Sequence, residues 1–396
     1  MLEDKYNILN IIRENHGVLP LDNIADLLIE GFKSELMSDK DKNLINMIFS
    51  SNPTQEKLDD FLAKWDIEAV GSAKALMLAY FMKMHPELNF SEYVGPRLSG
   101  LLRFYKFQNM KLISHYTKIC NELKKENIIP LIFKGGAMKH LRPEFPRVMG
   151  DIDVLVKENE YQKAGNIAEK MGYDCAWDIH SVDLHPKDSE EGIMDIHKYI
   201  YMNTGFETNV NDDLFKRARK EKVFGMDTLV PSNEDLLFIS LVNMTRNLTN
   251  KTSWHGVLFT LFDVKYLLES KLDFDWNIVV ENARKTKTEM QVCFATKFIN
   301  NIVPNLLPEN IQKEALFNEE INDYCILLMY QRFFLWNMKQ KSHALKFKDI
   351  FKNFDNFIEY LRLKPKYFFL KLFIFRKNPK LAKLILKLNE KYNIGE

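Results

Sequence analysis

The chain has 396 residues, 46% hydrophobic and 28% charged, with a net charge of +1, which suits a soluble globular protein of two or three domains with a large core. Its four cysteines, Cys120, Cys175, Cys293 and Cys325, are scattered without CxxC spacing, which speaks against a zinc or disulfide framework and for reduced thiols. No apolar run spans a bilayer (the closest, Tyr367 to Phe375, contains Lys371), and Met1 to Lys5 is not the start of a leader, so the expected compartment is the cytoplasm.

Residues 1–120 read as helical, with apolar clustering at Ile24, Ala25, Leu27, Leu28 and Ile29 and punctuation at Pro53, Pro86 and Pro96. Leu101 to Leu123 predicts a long helix in which His115 is a packed or surface residue. Ile128 to Phe133 is a short apolar run ending at Gly135-Gly136 and reads as a buried strand; Ala137 to Leu141 then predicts a short helix. Gly150 to Val156 alternates, with Ile152, Val154 and Val156 on one face and Asp151, Asp153 and Leu155 on the other. A helix from Glu158 to Met171 stops at Gly172. Strand-like pieces follow at Tyr173–Trp177, Ser181–His185 and Gly192–Lys198, the last two forming a hairpin across the polar turn from Lys187 to Gly192. Val223 to Val230 is a final strand-like run. Ser232 and Asp235 form a capping box opening a helix to about Leu248, and a second helix spans about Val257 to Glu269.

The chemistry concentrates in the alternating section. Glycines at 135 and 136 can take positive φ and let a phosphate approach the backbone, in front of free helix N–H groups. Asp151 and Asp153, two residues apart on a strand, root their carboxylates roughly 7 Å apart, so they can hold or bridge two divalent cations. Asp195, sharing a face with Ile193 and His197, completes an acidic set that can bind the second ion and take a proton from an attacking hydroxyl. All-oxygen ligands suit Mg²⁺. Lys134 contacts a phosphate or caps the strand end. His180, His185 and His197 match no zinc spacing; His197 orients Asp195, contacts a phosphate, or is structural.

Phe133-Lys134-Gly135-Gly136, Arg147-Val148-Met149-Gly150-Asp151-Ile152-Asp153-Val154-Leu155-Val156, Gly172-Tyr173 and Met194-Asp195-Ile196-His197 together resemble the bacterial nucleotidyltransferase family proteins of the polymerase-beta-like superfamily. The likeness covers about residues 110–270. It implies an α+β fold: a small mixed β-sheet nucleotidyltransferase core between N- and C-terminal helical regions. It also implies Mg²⁺-dependent transfer from a nucleoside triphosphate, with two ions, Mn²⁺ as a substitute, and no particular acceptor. Lys134, Gly135, Gly136 and Arg147 fall on the nucleotide side. Asp263 matches an acidic position of the pattern. Where family members often carry His after the Pro231-Ser232 turn, this chain has Asn243 and Asn247. Asn243, Arg246 and Asp263 are candidate lining of a base or sugar pocket, with a polar helix face as the alternative.

The expected divisions are a helical region at 1–120, the catalytic core at 121–230, a helical nucleotide- and acceptor-side region at 231–330, and a basic amphipathic region at 331–396. That last stretch has 16 Lys/Arg against 5 Asp/Glu, a surplus of +11 that leaves −10 for residues 1–330. It can pack on the body, meet an anionic membrane surface, or bind RNA. A small molecule or sugar is the favoured acceptor, with RNA or protein as others. The alternative to an enzyme is a nucleotide-binding scaffold or peripheral membrane protein of the same fold.

Overall fold

The computed structural model describes residues 39–307, apart from 51, 68–70, 146, 179, 188–192, 201–207, 251–253, 270–273, 287 and 305. The N-terminal apolar cluster around Ile24, the polar 187–192 turn in part, and the basic 331–396 region therefore lie outside the described residues. Within them are eleven helices and one mixed seven-stranded sheet, an α+β fold.

Three helices, α1 (Asp39–Ile48), α2 (Gln55–Leu62) and α3 (Ser72–Met84), precede the long α4 (Val94–Lys125). The buried side of α4 carries Asn109, Leu112, Tyr116, Ile119, Cys120 and Leu123 at helical spacing, which lays it against the sheet. Tyr116 is fully buried and its hydroxyl meets that of Thr228 at 2.5 Å. His115 is a packing residue, its Nδ1 2.9 Å from the Tyr173 hydroxyl.

The chain then enters β1 (Leu131–Ile132), α5 (Lys134–Leu141), β2 (Ile152–Leu155), α6 (Glu158–Lys170), β3 (Tyr173–Trp177), β4 (Ser181–Pro186) and β5 (Met194–His197). After α7 (Thr208–Arg217) come β6 (Arg219–Val223) and β7 (Met226–Val230). The strand order is β3-β4-β5-β2-β1-β7-β6, parallel at β5–β2 and β1–β7 and antiparallel elsewhere. Every residue of β2 is buried, so the central strand is covered on both faces.

The single strand expected over Val223 to Val230 is instead a hairpin. Phe224 and Gly225 both take positive φ, 51° and 87°, and turn the chain in two residues. A phenylalanine in that conformation gives no turn signal in sequence. The α5 helix begins three residues earlier than expected, and α4 extends beyond Leu101–Leu123 at both ends.

Four helices follow: α8 (Asn233–Asn250), α9 (Trp254–Glu269), α10 (Trp276–Thr286) and α11 (Glu289–Ile302). The Ser232 hydroxyl accepts from the Asp235 amide and donates to the Asp235 carboxylate, so the expected cap at the start of α8 forms. Asp235 is fully buried and receives a two-point hydrogen bond from Arg217, with Asn282 donating to the same carboxylate. That network ties α8 and α10 to α7. Arg142, just past α5, donates to the Tyr80 hydroxyl on α3 and stacks on the Phe145 and Tyr266 rings. One apolar core runs through all these elements.

Candidate active site

The site is built on three adjacent strands. β2 and β5 run parallel with Asp153 opposite Asp195, and β4 runs antiparallel to β5 with Asp183 opposite Asp195. Residues level across neighbouring strands point to one face, so Asp153, Asp195 and Asp183 form a row of carboxylates across the sheet. Asp151 precedes β2 and acts on the same row. Sequence reading did not single out Asp183; its signal was the alternation of Ser181-Val182-Asp183-Leu184, with Val182 and Leu184 buried.

The electrostatics follow from this crowding. The charge of Asp153, then burial, raises Asp151 to about 6. Burial, then the charges of Asp151, Asp153 and Asp183, raises Asp195 to about 8. Asp153 goes the other way. Burial pushes it up, but Lys134 and His197 outweigh that and hold it below the usual carboxylate range. Lys134 Nζ lies 2.5 Å and His197 Nε2 3.0 Å from the same oxygen, Asp153 Oδ1. His197, 3% exposed, therefore reaches diagonally to Asp153 rather than along its own strand to Asp195.

Lys134 sits at the turn into α5. The Phe133 amide donates to the Asp153 carbonyl, which fixes the turn beside the acidic strand. The positive φ expected of the glycines falls on Lys134 instead, at 49°. This left-handed residue stores backbone strain where its ammonium meets Asp153. Gly136 is required by packing, since a Cβ there would lie 2.7 Å from Ile132 Cδ1 and 3.3 Å from Ile152 Cγ2. Gly135 is more open, with Met149 Cγ at 3.5 Å and Arg147 Nε at 3.7 Å from such a Cβ. No side chain caps the N-terminus of α5.

Arg147 lies over this turn. Its Nη1 is 2.8 Å from Asp263 Oδ2 on α9, yet Nε and Nη1 make no well-directed hydrogen bond, so the contact is Coulombic rather than directional. Burial raises Asp263 to about 6 against the pull of Arg147 and Arg142. Asn109 on α4 holds the approach to β2, donating to the Arg147 carbonyl and accepting from the Met149 amide. This is a second residue that sequence reading missed, because one polar side chain in a long helix gives no local signal.

The remaining candidates stand apart. Asp263 is 2% exposed and meets Arg147 rather than open space. Asn243 is half-buried on α8, and among the described residues no hydrogen bond or ion pair joins it to the acidic row. The Arg246 side chain lies outside the described residues. Of the three histidines read for zinc, His180 meets the His197 ring edge-on at 5.7 Å, while His185 on β4 lies opposite Asp174 on β3.

Among the described residues one group has the chemistry to hold a metal ion: Asp153, Asp195 and His197, whose ligand atoms lie within 4.8 Å of one another. Asp195, held above its ordinary value by burial and then by its neighbours' charges, forms with Asp153 a donor set that a divalent cation relieves. The residues fit the group. No helix among the described residues is long and apolar enough to cross a membrane.

A family model described as an uncharacterised nucleotidyltransferase matches residues 75–304, which runs from within α3 through α11 and takes in the whole sheet. No curated protein matches the chain.

Proposed function

Since the chain belongs to this family of uncharacterised nucleotidyltransferases, we propose that it transfers a nucleoside monophosphate from a nucleoside triphosphate to a hydroxyl or phosphate acceptor, with Mg²⁺, and releases pyrophosphate. The supporting observation is the carboxylate row: Asp153 level with Asp195 across parallel strands, Asp151 beside them, and Lys134 at one end.

In this reading Asp151, Asp153 and Asp195 hold two Mg²⁺ ions, with Mn²⁺ as a substitute. When bound, the ions neutralise the triphosphate and polarise the α-phosphorus. The turn Lys134-Gly135-Gly136 takes the phosphates, with the uncapped start of α5 facing them. Arg147 steadies the leaving phosphates from above the turn, and Asp263 acts through Arg147. Asn243 and Arg246 belong to the nucleotide's base or sugar side. The acceptor oxygen bonds to the α-phosphorus as the bond to the bridging oxygen breaks, and pyrophosphate leaves with that electron pair. Asp195, level with Asp153 across the parallel strands, takes the acceptor's proton. Most of the acceleration comes from positioning and charge stabilisation.

On this division residues 121–230 carry the chemistry, 231–330 close the nucleotide and acceptor side, and 1–120 and 331–396 flank them. The setting is cytoplasmic, where nucleoside triphosphates are supplied, and a sugar or other small molecule is the favoured acceptor. Incubating the full chain with each α-labelled nucleoside triphosphate, Mg²⁺ and a cell extract tests the reading. A labelled product formed with stoichiometric pyrophosphate supports it. Nucleotide binding without release under every acceptor condition would instead mark a binding scaffold.

A further inference from the structure

His197 is placed as a ligand is placed. It is 3% exposed, at the end of β5 level with Leu155 on β2, with Phe133 packed edge-on against its ring at 5.1 Å. Both ring nitrogens face acceptors: Nδ1 lies 3.2 Å from the Tyr199 carbonyl, and Nε2 lies 3.0 Å from Asp153 Oδ1. A neutral imidazole has one N–H and can serve only one of them. In the metal-free site Nε2 donates to a carboxylate oxygen that Lys134 Nζ also meets.

With an ion between Nε2 and Oδ1 in place of that hydrogen bond, the ring's single proton sits on Nδ1 and is donated to the Tyr199 carbonyl. That is the tautomer of a metal-binding histidine, whose other nitrogen is fixed by a backbone carbonyl. The spacing agrees as well. Two ligands at right angles on an octahedral ion with bonds of about 2.1 Å are about 3.0 Å apart, the separation of Nε2 and Oδ1. Asp195 offers the third ligand atom of the group.

We propose that His197 Nε2 is a direct ligand of one of the two cations, so that this position is an Asp153–Asp195–His197 site that prefers a nitrogen-accepting ion such as Mn²⁺ to Mg²⁺. The proposal rests on the nucleotidyl-transfer reading for the presence of the cations. It goes further by splitting the pair into an all-oxygen position and a mixed one. Imidazole favours first-row transition ions, whereas Mg²⁺ strongly prefers oxygen.

The test is pulsed electron paramagnetic resonance on the full chain loaded with Mn²⁺, beside calorimetric titration with Mn²⁺ and Mg²⁺. The expected result is a ¹⁴N coupling of a directly bound nitrogen in the wild type, retained in His180→Gln and lost in His197→Gln. Mn²⁺ should also bind at least tenfold more tightly than Mg²⁺, with that preference reduced in His197→Gln. Bound Mn²⁺ without nitrogen coupling in the wild type would overturn the assignment, and needs no variant to be read. Coupling that survives His197→Gln, or vanishes in His180→Gln, would overturn it too. If Mn²⁺ does not bind at all, both this assignment and the transfer reading fall together. Bound Mn²⁺ that lacks nitrogen coupling sinks the assignment alone.

Discussion

Arg147 on the approach to β2 and Asp263 on α9 meet at 2.8 Å with little exposure of either side chain. This pair joins the helical section to the turn at Gly135, because Arg147 Nε also lies against that glycine. Asp263→Ala would leave a buried guanidinium without its counter-charge, a loss of about 3–5 kcal/mol. Asp263→Asn keeps the shape and should cost less stability while raising the KM for nucleotide more than it lowers kcat. Denaturant melts beside steady-state kinetics check both. An Asp263→Asn enzyme with unchanged nucleotide KM would separate Arg147 from phosphate binding.

The two glycines of the turn should respond differently to a methyl group. Gly136→Ala forces a Cβ to within 2.7 Å of Cδ1 and 3.0 Å of Cγ1 of Ile132, a fully buried side chain that must shift, and to 3.3 Å from Ile152 Cγ2. It should cost about 1–3 kcal/mol, seen as a lower melting temperature. Gly135→Ala meets only ordinary contacts and improves helix propensity. Its stability should hold or rise slightly, while nucleotide affinity falls where the methyl crowds the phosphate side. Equal melting shifts in the two variants would contradict this division.

Acidity should act on the metal-free chain in a definite direction. Asp195 at about 8 and Asp151 at about 6 bind protons more tightly when folded than when unfolded, where a carboxylate has its ordinary value near 4. Their contribution to stability is whole below that ordinary value and is lost as pH rises through about 6 and then about 8. Asp153, held low, works oppositely, and its contribution is lost only in strong acid. The melting temperature in chelator should therefore fall between about pH 5 and pH 8.5. Added Mg²⁺ should recover more at the upper end than at the lower. A melting temperature that rises steadily with pH in chelator would show that the carboxylates do not crowd one another.

Asp183 faces Asp195 across β4 and β5 and adds to the charge that Asp195 feels. Asp183→Asn should raise the metal-free melting temperature at about pH 8 and shrink the further gain on adding Mg²⁺. Differential scanning calorimetry with and without chelator reads both. No gain in the metal-free variant would mean that Asp183 points its charge elsewhere.

Much of this architecture was legible in the residues. Alternation around Asp153 and Asp195 gave two strands with inward carboxylates, and the glycine after α6 gave that helix its end, where Gly172 has φ 91°. Strand order was not legible, because pairing β2 parallel to β5 is decided by long-range packing rather than by local pattern. The Phe224-Gly225 turn hid for a related reason: its phenylalanine takes a backbone conformation that its side chain does not advertise. Arg147 and Asp263 lie on separate elements, so their ion pair had no sequence spacing to reveal it. The positive φ at Lys134 has no local signal, because the two glycines that follow it bear that conformation at less cost.

The most direct measurement is Mg²⁺-dependent pyrophosphate release by Asp151→Asn and Asp153→Asn beside the wild type, with circular dichroism to confirm that each is folded. Losing either carboxylate from the row should lower turnover by at least a thousandfold, about 4 kcal/mol of transition-state stabilisation, with the fold intact. A folded variant that releases pyrophosphate at the wild-type rate would contradict the account at its centre.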